Sequence, residues 1–68
     1  MGSREELKHL LVEIGARKAS LTDPSPVKRM RALDEVQATI DKISRRYGEI
    51  EAEEAIRLFE LQSVVKPR

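Results

Sequence analysis

Residues 27–50 read VKRMRALDEVQATIDKISRRYGEI, and this stretch decides the fold. Its large apolar residues recur at alternating intervals of three and four positions: Leu33, Val36, Ile40, Ile43, Tyr47 and Ile50. Such intervals place the side chains in one narrow row along an α-helix, and a row of this kind needs a second helix to cover it. The stretch therefore predicts a long helix that packs against at least one other helix.

The segment before this stretch has its own helical pattern. Apolar residues fall on one face of a helix at Leu7, Leu10, Leu11 and Ile14. Ser3 followed by Glu6 three positions later is the capping-box pattern of a helix start. Gly15 is either an exposed or close-packed helical position or a kink. We predict helix one over residues 4–20.

A short loop separates the two helices. Residues 21–26 read LTDPSP, and each proline removes a backbone donor and restricts the residue before it. Asp23 or Ser25 can cap the next helix, with a proline in its first turn. We predict helix two over residues 26–47. A loop this short makes the two helices antiparallel neighbours.

Gly48 leaves two architectures open. Basic residues precede it and acidic residues follow it, as two separate helix dipoles prefer. The same charges can also pair along one continuous helix, and no Ser, Thr, Asp or Asn follows Gly48 as a cap. The chain is therefore predicted to be all-α: an antiparallel hairpin plus a third helix over residues 49–64, either as a three-helix bundle or as a hairpin with a long second helix.

The third helix carries more apolar surface than one neighbour can cover. Its apolar arc is about 200° wide, against about 100° for an ordinary surface helix. We predict that the surplus binds a partner through Leu58, Phe59, Leu61 and Val65. The alternative is a third helix inserted between the other two, with all of this surface buried.

The composition predicts one small helical domain over residues 1–68 that acts by contact. A core of this size supplies only about 3–5 kcal/mol of stability without further support. The chain has no cysteine, so neither disulfides nor thiolate metal sites can stabilise this core. We therefore expect an oligomer, or a complex with another protein. A cytoplasmic location fits the lack of cysteine and of a secretory signal or membrane span.

Catalytic and cofactor chemistry finds little support. Glu6 and His9 have a carboxylate–imidazole spacing used by metal sites in helical bundles, but they flank the apolar stripe. The chain has a helix, a loop with Asp and Pro, and then a second helix with Leu33-Asp34. This order resembles that of small phosphatases that act on the aspartyl phosphates of sporulation proteins. That family carries Ser and Gln where Met30 and Arg31 stand here, so the chain is not assigned to it. We predict no enzyme activity, cofactor, metal or small-molecule substrate.

A basic face on helix two supports an alternative function. Five cations fall within an arc of about 100° opposite the apolar row, at 100° per residue: Lys28, Arg31, Lys42, Arg45 and Arg46. Such a face can follow a phosphate backbone. Against this, the net charge is only +1 and only two residues are aromatic. The main prediction is thus a non-catalytic protein-interaction or oligomerisation module, a small regulator or adaptor, with nucleic-acid binding as the alternative.

Overall fold

The computed structural model describes residues 4–65 as three helices that pack against one another. Helix α1 is Arg4–Lys18 and continues into a 3-10 turn, Ala19–Thr22; helix α2 is Pro26–Tyr47 and helix α3 is Glu49–Leu58. The all-helical class and the three packed helices confirm the predicted fold class. Ser3, the predicted cap of helix one, lies outside the described residues.

The loop before α2 is held by side-chain to backbone hydrogen bonds. The Asp23 carboxylate accepts from the backbone N–H of Ser25 at 2.8 Å, and the Ser25 hydroxyl accepts from the backbone N–H of Lys28 at 3.5 Å. The Arg29 guanidinium donates to the Asp23 carbonyl at 2.8 Å. Ser25 is therefore the N-cap and Pro26 the first helical residue, which is the arrangement these residue types favour.

Gly48 separates α2 from α3. Its backbone has φ 101° and ψ 167°, a conformation essentially restricted to glycine. The Gly48 N–H still donates to the carbonyl of Ser44 at 3.1 Å, so α2 closes its last turn before the chain changes direction. The structure thus contains the break, and not the single long helix that the sequence also allowed.

Helix α3 ends six residues earlier than predicted. The N–H of Leu61 donates to the carbonyl of Ile56 at 2.8 Å, and the N–H of Glu60 donates to the carbonyl of Arg57 at 3.2 Å. These two bonds, with Glu60 left-handed at φ 56°, form a Schellman cap. The predicted end at residue 64 is wrong, because the chain reverses after Leu58 and folds back.

The core combines side chains from all three helices and from the segment after α3. Its buried members are Leu10, Ile14, Val36, Ile40, Ile43, Ala52, Ala55, Ile56, Leu61 and Val65. The middle of the apolar row on α2 is therefore buried, as its spacing predicts. Ile50, the last residue of that row, is 72% exposed because the turn at Gly48 takes it away from the face that α2 presents to the core.

Contacts between the helices fix their relative directions. Arg17, near the end of α1, forms an ion pair with Glu35, and Arg46, at the end of α2, forms an ion pair with Glu6. Helices α1 and α2 are therefore antiparallel, as the short loop predicts. Near the end of α1, Gly15 meets Phe59, so α1 and α3 run in the same direction.

Candidate functional site

A groove runs along the surface between α1 and α3. Both helices pack along α2, but few contacts join them directly to each other. Leu7 and Leu11 of α1 line the groove together with Ala55 and Leu58 of α3. Two adjoining cavities, of about 460 Å³ and 200 Å³, share Leu7, Leu11 and Glu51 and make the groove continuous.

The groove lining is apolar and incompletely covered. Leu58 is 66% exposed, and Leu7 and Leu11 are half-buried. The neighbouring residues Leu10 and Ile14, one step further round α1, are buried in the core. The groove is thus a continuation of the hydrophobic core to the surface, and a further apolar side chain placed there would lose contact with water.

The two edges of the groove carry opposite charges. Arg4 and Lys8 lie on the α1 side and Glu51 on the α3 side of the wider cavity, while Glu54 lines the narrower one. Within residues 4–65 none of these four side chains takes part in an ion pair. One edge therefore attracts anions and the opposite edge attracts cations.

One end of the groove is closed. Phe59 packs so closely on helix α1 that its Cε1 atom would lie 3.3 Å from a Cβ placed on Gly15. The amine of Lys18 lies 3.9 Å from the carboxylate of Glu60 at the same end. Tyr47 lines the wider, opposite part. The open length along residues 4–11 of α1 is about 10 Å, or two helical turns.

The residues predicted to bind a partner fall into two groups. Leu58 is exposed on the edge of the groove and Phe59 is half-buried at its closed end. Leu61 and Val65 are each only 1% exposed, so the expectation that they form a surface is wrong. The physical reason is the cap at Glu60, which turns both side chains into the core.

The predicted basic face on α2 is mostly preserved. Within the described range, Lys28, Arg31, Lys42 and Arg45 are exposed and their side chains form no ion pair. Arg46 differs, because it forms an ion pair with Glu6 of α1. Asp41 lines the same shallow surface as Lys42 and Arg45, so this face is not purely basic.

Two other possibilities were tested against the described residues. Glu6 forms an ion pair with Arg46, and His9 is exposed on α1. No group of three or more His, Cys, Asp or Glu side chains in residues 4–65 is placed to hold a metal ion. In the same part of the chain, every helix is too short or too polar to cross a membrane.

Sequence reasoning missed most of the groove. Leu7 and Leu11 belong to the apolar stripe of helix one, and membership of that stripe alone does not separate a core position from an edge position. The charged edges were also missed: Arg4, Lys8, Glu51 and Glu54. The width of the stripe does carry a signal about the groove. At 100° per residue, Leu7 and Leu11 both lie on one side of Leu10 and Ile14, at the edge of the stripe.

No protein-family model, curated protein or solved structure matches this chain. The features of this chain that bear on its function are therefore the groove, its charged edges and the basic face of α2.

Proposed function

We propose that this protein is a non-catalytic helical interaction module, a small regulator or adaptor that holds a helix in the α1–α3 groove. The helix is supplied by another protein or by a second copy, so the complex or oligomer supports the small core. The observation that carries the proposal is the exposed apolar lining of the groove, formed by Leu7, Leu11 and Leu58. A cytoplasmic location belongs to the same proposal, and cell fractionation tests it.

The shape of the groove favours a helix as the bound element. An amphipathic helix binds to a partner by laying its apolar stripe into a hydrophobic groove. Two helices that run in the same direction and pack on a shared third helix leave a furrow of this type. A fourth helix in that furrow would run alongside α1 and α3, as the helices of a four-helix bundle do.

A peptide-binding experiment tests the proposal. The probe is a synthetic amphipathic peptide of about 15 residues, about four turns, with leucines along one face. We expect binding by fluorescence anisotropy, and we expect Leu58→Glu to abolish it because a carboxylate would then have to lie in the apolar groove. Met30→Glu is the matched control, since Met30 is 68% exposed on α2 and does not line the groove.

The two variants separate groove binding from general stickiness. Equal loss in Leu58→Glu and Met30→Glu would mean that the peptide binds any apolar surface, and the proposal would fail. We expect circular dichroism to show that both variants are folded, because both changes are made at exposed positions. Sedimentation velocity of the unmodified chain shows whether a second copy already occupies the groove.

A second candidate function is nucleic-acid binding by the basic face of α2. The observation in its favour concerns Glu35, the only acidic residue within that arc. Its carboxylate forms an ion pair with Arg17 of α1, so it is already neutralised and does not oppose the free cations. Lys28, Arg31, Lys42 and Arg45 then present positive charge over about 25 Å of helix, at 1.5 Å per residue.

Salt dependence tests this second candidate. Binding to a phosphate backbone weakens steeply with salt because bound counterions are released. We expect Lys42→Glu to weaken binding of a labelled duplex DNA or single-stranded RNA at low salt. Lys8→Glu, which makes the same charge change outside this face, is the control. Unchanged mobility of both nucleic acids at low salt would exclude this function.

A further inference from the structure

We propose, resting on the groove-binding function above, that the occupant is an amphipathic helix of another polypeptide with segregated charges. Its apolar stripe lies on Leu7, Leu11 and Leu58. Acidic side chains follow the edge of the stripe that lies against α1, and basic side chains follow the edge that lies against α3. The juxtaposition that points to this partner is an apolar groove between one basic and one acidic edge.

The charged edges point to a partner because their side chains form no ion pair within residues 4–65. Within residues 4–65, three ion pairs join α1 to its neighbours: Arg17 with Glu35, Arg46 with Glu6, and Lys18 with Glu60. In the described part of the chain, the four edge residues of the groove form no such pair. Arg4 and Lys8 lie one turn apart on α1, so two acidic residues one turn apart on the occupant can meet them.

The acidic edge on α3 requires basic side chains on the occupant. Glu51 and Glu54 are three residues apart on α3, next to one another on its surface. Two basic residues with the same spacing on the occupant would lie opposite them. Complementary charges of this kind mainly determine which partner is selected, since exposed ion pairs each add little affinity.

The dimensions of the groove limit the length of the occupant. The groove is open over about two turns and is closed beyond Leu11, where Phe59 packs on Gly15. A helix with apolar residues at positions i, i+3 or i+4, and i+7 covers this distance. The groove therefore contacts about two turns of a helix, and a longer helix must extend past the open end near Tyr47.

A second copy of this chain is a poorer occupant. The longest helix is α2, and a second copy that used it would place its outer face into the groove of the next copy. The centre of that face carries Arg45 and Ala38 where the groove requires large apolar side chains. Such a head-to-tail contact also produces a ring or an open chain of copies and not a symmetric pair.

Two peptides of identical composition test the charge pattern. Both have about 15 residues and the same leucine stripe. In the segregated peptide all Glu residues follow one edge of the stripe and all Lys residues follow the other. In the mixed peptide Glu and Lys alternate along both edges. Reversing a helix in the groove exchanges its two edges, so the segregated peptide can satisfy both edges in one of its two directions and the mixed peptide in neither.

We expect the segregated peptide to bind about three- to tenfold more tightly than the mixed one at low salt, with the difference lost at high salt. Lys8→Glu should remove this preference, because it places an acidic residue on the basic edge, opposite the acidic side chains of the peptide. Lys42→Glu is the matched control, with the same charge change on an outer face of α2, and should keep the preference.

The outcomes distinguish this inference from the function on which it rests. Equal affinity for the two peptides, with dependence on Leu58 retained, would overturn the charge pattern and leave the groove function standing. Failure of both peptides to bind would overturn both proposals. A dimer or larger assembly of the unmodified chain that Leu58→Glu dissociates would identify a second copy as the occupant and overturn the inference of a separate polypeptide.

Discussion

Glu60 adopts a backbone conformation that glycine usually occupies. Its φ of 56° places it in the left-handed region at the position after the α3 cap, where a side chain costs roughly 1–2 kcal/mol. We expect Glu60→Gly to increase the free energy of unfolding by about 0.5–1 kcal/mol, because relief of this strain exceeds the added freedom of the unfolded chain. Urea denaturation monitored by circular dichroism measures the change.

The exposed ion pair at the same residue needs its own control. Lys18 lies 3.9 Å from the Glu60 carboxylate, and exposed pairs contribute about 0–1 kcal/mol. Lys18→Ala removes the pair without changing the backbone, and we expect it to have almost no effect on stability. If Glu60→Gly destabilised the protein more than Lys18→Ala does, the left-handed position would not be a source of strain.

Gly48 should respond to substitution in the opposite direction. A Cβ added there meets no atom within 4 Å, so any loss of stability must come from the backbone itself. With φ 101° and ψ 167°, we expect Gly48→Ala to cost about 1–3 kcal/mol in chemical denaturation. An unchanged stability would contradict a glycine-specific corner between α2 and α3.

Gly15→Ala is the comparison for Gly48→Ala. Gly15 lies within α1, where alanine favours the helix by about 1 kcal/mol. Its new Cβ would lie 3.3 Å from the half-buried ring of Phe59, so the ring must shift by a few tenths of an ångström, which offsets part of that gain. We therefore expect a small change for Gly15→Ala and a clear loss for Gly48→Ala, although the two substitutions are chemically identical.

At the scale of the elements, the sequence predicts the start of a helix better than its end. The start of α2 has recognisable chemistry in Ser25 and Pro26, and its end has Gly48, so residues 26–47 could be predicted. The end of α3 has a cap without the usual glycine, because Glu60 occupies that position. Residues 59–64 have helical apolar spacing, and only tertiary packing directs Leu61 inwards instead.

The reversal after α3 predicts different roles for two nearby leucines. Leu61 is 1% exposed and Leu58 is 66% exposed. We expect Leu61→Ala to cost about 2–5 kcal/mol, because it leaves a cavity in the core. Leu58→Ala should change stability by less than about 0.5 kcal/mol, as exposed substitutions do, and should weaken peptide binding. Urea denaturation and fluorescence anisotropy on the same samples measure both effects, and an equal loss of stability in the two variants would contradict the placement of Leu61.

At the scale of the whole molecule, the groove depends on the distance between α1 and α3, which the sequence does not encode locally. The apolar spacing of α1 and α3 identifies which faces point inwards, and the core residues Leu10, Ile14 and Ile56 follow from it. Whether α1 and α3 also cover each other depends on how each packs on α2. An exposed apolar surface therefore lies between α1 and α3, and of the four residues predicted to bind a partner only Leu58 and Phe59 lie at it.

Thermal unfolding tests the complete arrangement. A ligand that binds only the folded state at about 100 times its Kd adds about 2.7 kcal/mol of stability, and for a domain of this size 1 kcal/mol corresponds to about 4–8 °C. We therefore expect the segregated peptide to raise the Tm by roughly 10–20 °C, and Leu58→Glu to abolish the increase. Without peptide, the Tm should not change with protein concentration, because the helix that occupies the groove comes from a different polypeptide. A Tm that rises with the concentration of the unmodified chain alone would instead show that copies of the chain complete one another.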